Sequence, residues 1–146
     1  MSLAIVYTRA ALGIEAPLIT VEVHLSNGLP GLTMVGLPET TVKEARDRVR
    51  SALINSGYAF PAKKITINLA PADLPKEGGR YDLPIALALL VASEQLNTTR
   101  LNQYEFVGEL ALTGGLRGVP GAIPSAMEAI KAGALSSPLT MRRRSA

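Results

Sequence analysis

The residues best placed for chemistry lie in one stretch, Lys76-Glu77-Gly78-Gly79-Arg80-Tyr81-Asp82, which runs straight into ten consecutive apolar residues from Leu83 to Ala92. Two glycines and an arginine ahead of a helix could cradle an anion, because the first amides of a helix are unpaired and its dipole favours negative charge there. No GxxxxGK[ST] and no GxGxxG occurs anywhere, so a phosphate site would rest on this turn alone. The simpler reading is preferred: the glycines let the backbone turn, and Arg80 pairs with Glu77 or Asp82. Lys76, Arg80, Tyr81 and Asp82 are the candidate functional turn.

A second candidate is a basic ridge, Lys43, Arg46 and Arg50, spaced i, i+3 and i+7 on one helix. It could track phosphates or meet a protein partner. Glu44 and Asp47 lie among these cations, so a solvated face laced by ion pairs is the plainer account. Nucleophilic catalysis finds no support. A serine-lysine dyad needs its groups within hydrogen-bond reach, and Ser125 and Lys131 are six apart, about 600° of rotation, facing away from each other. Asp73 and Glu77 read as solvated loop acids, and His24 as a surface histidine beside Glu22. The absence of cysteine removes disulfides, thiolate chemistry and sulfur metal sites, and a single histidine removes a histidine metal cluster. Net charge is +3, from 15 basic and 12 acidic residues. Arg142, Arg143 and Arg144 account for the excess, so the body before them is formally neutral and not a basic nucleic-acid-binding domain by composition.

These residues need positioning by a core, and the chain of 146 residues, 47% hydrophobic, has material for one. A helix apolar on all sides must be covered on all sides, so Leu83 to Ala92 is the expected centre, and it is too short to span a membrane. Asp82 is expected as its N-cap or first-turn acid, Pro84 is tolerated in that turn, and the helix should end near Ser93 or Leu96. Around it, Leu3 to Thr8 and the alternating Leu18 to Leu25 read as strands joined through Ala11 to Pro17. Ser26-Asn27-Gly28 signals a hairpin returning as Gly31 to Gly36, which makes a three-stranded meander. Thr41 with Glu44 reads as a capping box for a helix whose buried stripe is Val42, Ala45, Val49, Ala52 and Leu53, stopped by Gly57. Ile65, Ile67 and Leu69 mark another strand, ending near Ala70, and Pro71 to Pro75 an irregular loop. Asn97 to Asn102 reads as polar connection, followed by a hairpin turning at Thr113-Gly114-Gly115 and a short helix over Gly121 to Ala132. Residues 134–146 read as a disordered tail. No signal peptide is evident, and a cytoplasmic location is expected.

The strings GLPE, INLAPADLPKEG and YDLPIALALL closely resemble the N-terminal domain of the ComM/YifB family of magnesium-chelatase-like AAA+ ATPases, over about residues 1–133. The resemblance implies an α+β fold like ribosomal protein S5 domain 2 and the proteolytic domain of Lon, a mixed β-sheet covered by about three helices. In that family this domain precedes a ring-forming ATPase linked to DNA branch migration in natural transformation, in the bacterial cytoplasm. ATP and magnesium would then belong to the ATPase module and no cofactor to this chain. Its expected partners are that module and neighbouring subunits of a ring, with DNA a further candidate and no membrane. Matching the helices to those of Lon puts Asp82 at the nucleophilic serine and Pro124 at the catalytic lysine. The implied function is therefore a non-catalytic accessory domain, without Walker A motif or dyad. The alternatives are a residual Lon-type peptidase and a small DNA-binding module.

Overall fold

The computed structural model describes residues 2–10, 16–76, 78–96, 100–115 and the backbone of 141–143. Within these, the elements run β1 (Ser2–Arg9), β2 (Leu18–Ser26), β3 (Gly31–Val35), α1 (Glu39–Asn55), β4 (Lys64–Ala70), α2 (Asp82–Ala92), a 3-10 turn (Leu101–Gln103), β5 (Tyr104–Phe106) and β6 (Met141–Arg143). One mixed sheet takes the order β3-β4-β2-β1-β5-β6. The expected α+β class is what forms, with two α-helices among the described residues. The third expected helix, Gly121 to Ala132, lies outside them, as do most of the Ala11 to Pro17 connection and the second strand of the hairpin at Gly114.

Alternation fixes which side of the sheet is buried. Ile19, Val21, Val23 and Leu25 of β2 face inward, in register with Ile65, Ile67 and Leu69 of β4 and with Ala4 and Val6 of β1. Against that face lies α2, whose residues Asp82 to Leu90 and Ala92 are all buried. Its five large aliphatics, Leu83, Ile85, Leu87, Leu89 and Leu90, are each about 1% exposed or less. Each contributes on the order of 2 kcal/mol of apolar transfer, which outweighs the modest helix propensity of so short a segment. The opposite sheet face carries Tyr7, Thr20, Glu22, His24, Thr66 and Asn68, with Leu3, Ile5 and Val35 exposed.

The expected meander does not form. β1 and β2 pair antiparallel, but β3 pairs parallel with β4, and β4 inserts between β3 and β2. The turn at Ser26 to Gly28 is real, yet α1 must bury its stripe on the sheet, and a strand-helix-strand crossover does so while returning β4 parallel to β3. At the β3 to α1 junction Gly36 adopts φ +101°, and a Cβ there would sit 2.3 Å from the Leu69 carbonyl oxygen, so the close passage over β4 requires glycine.

The buried stripe of α1 is Ala45, Val49, Ala52 and Leu53, with Val42 partly buried, but its start differs from expectation. Pro38, at φ −58° and ψ 147°, is the N-cap, and no side chain caps the helix. Val42 N already donates to Pro38 O at 3.0 Å, so Thr41 lies inside the first turn and the capping box is not used. The C-terminal end follows the glycine rule: Gly57 N donates to Ile54 O at 3.1 Å and Tyr58 N to Leu53 O at 2.9 Å. The same pattern ends α2 without a glycine, since Glu94 sits at φ 61° while Gln95 N donates to Leu90 O at 2.9 Å.

Two further expectations need correction. Met141–Arg143, in the stretch 134–146 read as a disordered tail, forms β6 antiparallel to β5, because β5 otherwise leaves an edge of unpaired backbone groups. The supposed polar connection to Asn102 contains Leu101, buried at 4% exposure. Arg9 reaches across from β1 and donates to Glu105 of β5 at 3.0 and 2.9 Å. No helix among the described residues is long and apolar enough to cross a membrane.

Candidate functional site

The glycine turn does deliver Asp82 to the mouth of α2, but in an unexpected role. Gly78 takes φ 75°, Asp82 N donates to Gly79 O at 3.0 Å, and Tyr81 occupies the N-cap position. Asp82 is the first helical residue, yet its carboxylate does not cap α2. It points across to α1, where Arg48 donates to it through Nε at 2.6 Å and Nη2 at 3.3 Å. The amide of Leu110 adds a third bond at 3.1 Å to Oδ2. Backbone bonds close the junction: Leu83 N to Gly108 O at 3.0 Å and Gly108 N to Arg80 O at 2.9 Å. Three parts of the chain, α1, the head of α2 and the 108–110 segment, are thus tied at one carboxylate.

The Asp82 side chain is about 1% exposed and Arg48 is 19% exposed. Burial pushes the Asp82 carboxyl up to about 6, while Arg48 and the Leu110 amide pull it down and the Glu109 charge adds a small push upward. The Arg48 guanidinium is raised, chiefly by its hydrogen bond to Asp82, and also by the Glu44 carboxylate 3.6 Å away on the solvent side. A carboxylate enclosed this way joins α1, the head of α2 and the 108–110 segment through three hydrogen bonds.

The other turn residues make contacts of their own within the fold. Lys76 is 3% exposed, and its ammonium donates to the carbonyl oxygens of Pro71 at 2.5 Å and Leu74 at 3.0 Å, which folds the Pro71 to Lys76 loop around it. Burial pushes this amine down, with Asp73 opposing. Tyr81 is 1% exposed and its hydroxyl is raised by burial. Arg80 does not pair with Asp82 as expected: Arg48 already fills that carboxylate, and the buried Arg80 Nε has no hydrogen-bond partner. Glu77, its other expected partner, lies outside the described residues, as do Pro124, Ser125 and Lys131.

The ridge on α1 is a separate place. Lys43 is exposed, Arg46 makes a loose exposed pair with Asp47 at 3.7 Å, and the Arg50 guanidinium stands over the Phe60 ring at 5.5 Å from its centre. Arg48 had escaped the sequence reading, although it adjoins Val49 and lies three residues beyond Ala45, at the border of the buried stripe. A cation there must find a buried acid or turn outward. Nothing local pointed to Leu110 as a donor. His24 differs from the expected surface histidine, being half-buried with its Nε2 covered and unpartnered, while Glu22 accepts from Asn68 at 2.9 Å. Among the described residues no three His, Cys, Asp or Glu side chains are grouped to hold a metal ion.

Comparison with known proteins agrees on one family. The family model described as "Subunit ChlI of Mg-chelatase" matches residues 21–137. A protein named YifB from Escherichia coli strain K12 is 83% identical over 133 residues, covering 91% of this chain and 26% of that protein. The competence protein ComM of Haemophilus influenzae is 69% identical over 131 residues, covering 90% of this chain and 26% of ComM. Rv2897c of Mycobacterium tuberculosis is 38% identical over 133 residues, again 91% of this chain and 26% of that protein. The chain therefore spans about a quarter of the length of these relatives. With most of its length inside the family match, this chain belongs to the family of the Mg-chelatase subunit ChlI, and within it resembles YifB and ComM.

Proposed function

We propose that this chain is a non-catalytic accessory domain of a larger ComM/YifB-type AAA+ ATPase, and that the whole protein works in DNA branch migration during natural transformation. The observation that carries the first part is the state of Asp82. A residue at the helix mouth where Lon-type peptidases hold their nucleophile is here buried and held by Arg48 and the Leu110 amide. Such a group fastens helices together, and it puts a carboxylate where that type of acyl transfer needs a hydroxyl activated by a neighbouring base. ATP and magnesium are assigned to an ATPase module elsewhere in the longer protein, because no phosphate-binding loop exists in this chain. The partners of the domain would be that module and adjacent subunits of its ring. The competence name of the Haemophilus relative supports the second part of the proposal.

The test has two arms. The purified chain is incubated with ATP or with casein, and neither phosphate release nor peptide release should exceed the blank. In full-length ComM, deletion of the matching domain should leave ATP hydrolysis in place and abolish branch migration of a three-strand DNA substrate. Casein turnover lost on Asp82→Ala would overturn the accessory reading and restore a peptidase.

A further inference from the structure

Away from the Asp82 junction, the outer flank of α1 and the chain entering β4 enclose a groove of about 500 Å³. Its floor is apolar, with Leu32, Ile54 and the half-buried Phe60, and Ile54 is 49% exposed. Its rim carries Arg46, Arg50 and Lys63, and no acidic side chain lines it among the described residues. The cations are weakly held. Arg46 has the loose pair with Asp47 at 3.7 Å, Lys63 has a long contact to Asn27 Oδ1 at 3.5 Å, and Arg50 is spread over the Phe60 ring. Three positive charges around a hollow with apolar walls focus a positive potential into it, although the body of the domain is neutral.

The geometry points to a binding site for a nucleotide unit, phosphate and base together, either free or within a single strand. Guanidinium groups recognise phosphate oxygens through paired donors, which Arg46 and Arg50 can supply with Lys63 as a point charge. A flat base has a matching surface in the Phe60 and Arg50 stack, the combination that single-strand sites use. The volume suits one nucleotide and is far too small for a duplex. This site is independent of the accessory-domain reading: a domain with no nucleotide groove would be just as non-catalytic.

The experiment follows fluorescence anisotropy of a labelled oligothymidylate with the whole chain, between about 50 and 200 mM salt. One nucleotide in the groove, with its own phosphate and the next one along the strand neutralised, predicts a log-log salt slope of about −1.4. Arg46→Glu should weaken binding at least about tenfold, whereas Lys43→Glu, the same charge change on the same helix but outside the groove, should change it less than about twofold. Phe60→Leu should weaken the oligonucleotide at least about fivefold, the lower end of base stacking, and leave competition by inorganic pyrophosphate unchanged. Thermal melts confirm that each variant is folded. Competition by ATP in the absence of metal identifies a free nucleotide as the ligand, and competition by unlabelled strand alone identifies a strand. The proposal is overturned if the chain does not bind, if Lys43→Glu costs as much as the groove variant, if polyglutamate competes as well as the strand, or if only replacement of Arg142 to Arg144 removes binding.

Discussion

The Arg48–Asp82 pair predicts an asymmetry between its two partners that can be worked out atom by atom. Asp82→Asn with the amide oxygen in place of Oδ2 keeps the 2.6 Å bond from Arg48 Nε and the 3.1 Å bond from Leu110 N. It gives up only the 3.3 Å contact to Arg48 Nη2, where two donors now meet, at about 1 kcal/mol. Against that, it removes a charge from a site about 1% exposed. A carboxyl raised from 3.8 to about 6 binds its proton more tightly in the folded state. The stability linked to that proton is present in full below the unfolded value and is lost as pH rises through about 6. A rise from 3.8 to about 6 corresponds to roughly 3 kcal/mol. Relative to wild type, Asp82→Asn should therefore be slightly destabilised near pH 4 and more stable by about 2 kcal/mol near pH 7.5. Arg48→Met, in contrast, strands a buried carboxylate with one amide donor and should lose about 3 to 5 kcal/mol at neutral pH. Urea unfolding of both variants at a series of pH values reads this out. A loss of 3 kcal/mol or more for Asp82→Asn, constant with pH, would refute the reasoning, since it would mean that the guanidinium outweighs burial and the carboxylate charge is a net stabiliser.

Other substitutions test the frame around the pair. Gly36→Ala, whose Cβ would meet the Leu69 carbonyl at 2.3 Å, should lower stability by more than about 2 kcal/mol, whereas Gly57→Ala, at φ +88° with open space around it, should cost only about 1 kcal/mol; urea midpoints compare the two. Leu87→Ala at the fully buried centre of α2 should cost about 2 to 5 kcal/mol by the same measurement. Glu94→Gly relieves a left-handed residue at the end of α2 and should raise the melting temperature by a few degrees, corresponding to about 1 kcal/mol.

The centre of the fold was legible because its signal is local. A ten-residue apolar run preceded by an acid and containing an early proline has few other destinations than a buried helix, and α2 begins at Asp82 and ends at Ala92. Strand positions were legible for the same reason, through alternation. Pairing was not, since the turn after β2 says only that the chain reverses, and β4 rather than β3 took the place beside β2. The site divides the same way. Asp82 could be located from its neighbours, but Arg48 is 34 residues away and Leu110 another 28 on the other side, so their meeting is a property of packing. Arg80 misled because proximity in sequence favoured a pairing that the direction of the Asp82 side chain forbids.

The insertion of β4 between β3 and β2 also matters while the protein is being made. Ser26 of β2 waits for Lys64 of β4, about 40 residues later, and translation at about 5 to 20 residues per second makes that delay roughly 2 to 8 seconds. Through this interval β2 has β1 on one side and an open edge on the other, with Ile19, Val21, Val23 and Leu25 all uncovered. A ribosome that stalls within α1 therefore leaves a two-stranded ribbon with an open edge on the nascent chain; β4 closes that edge, and the apolar face stays bare until α2 follows.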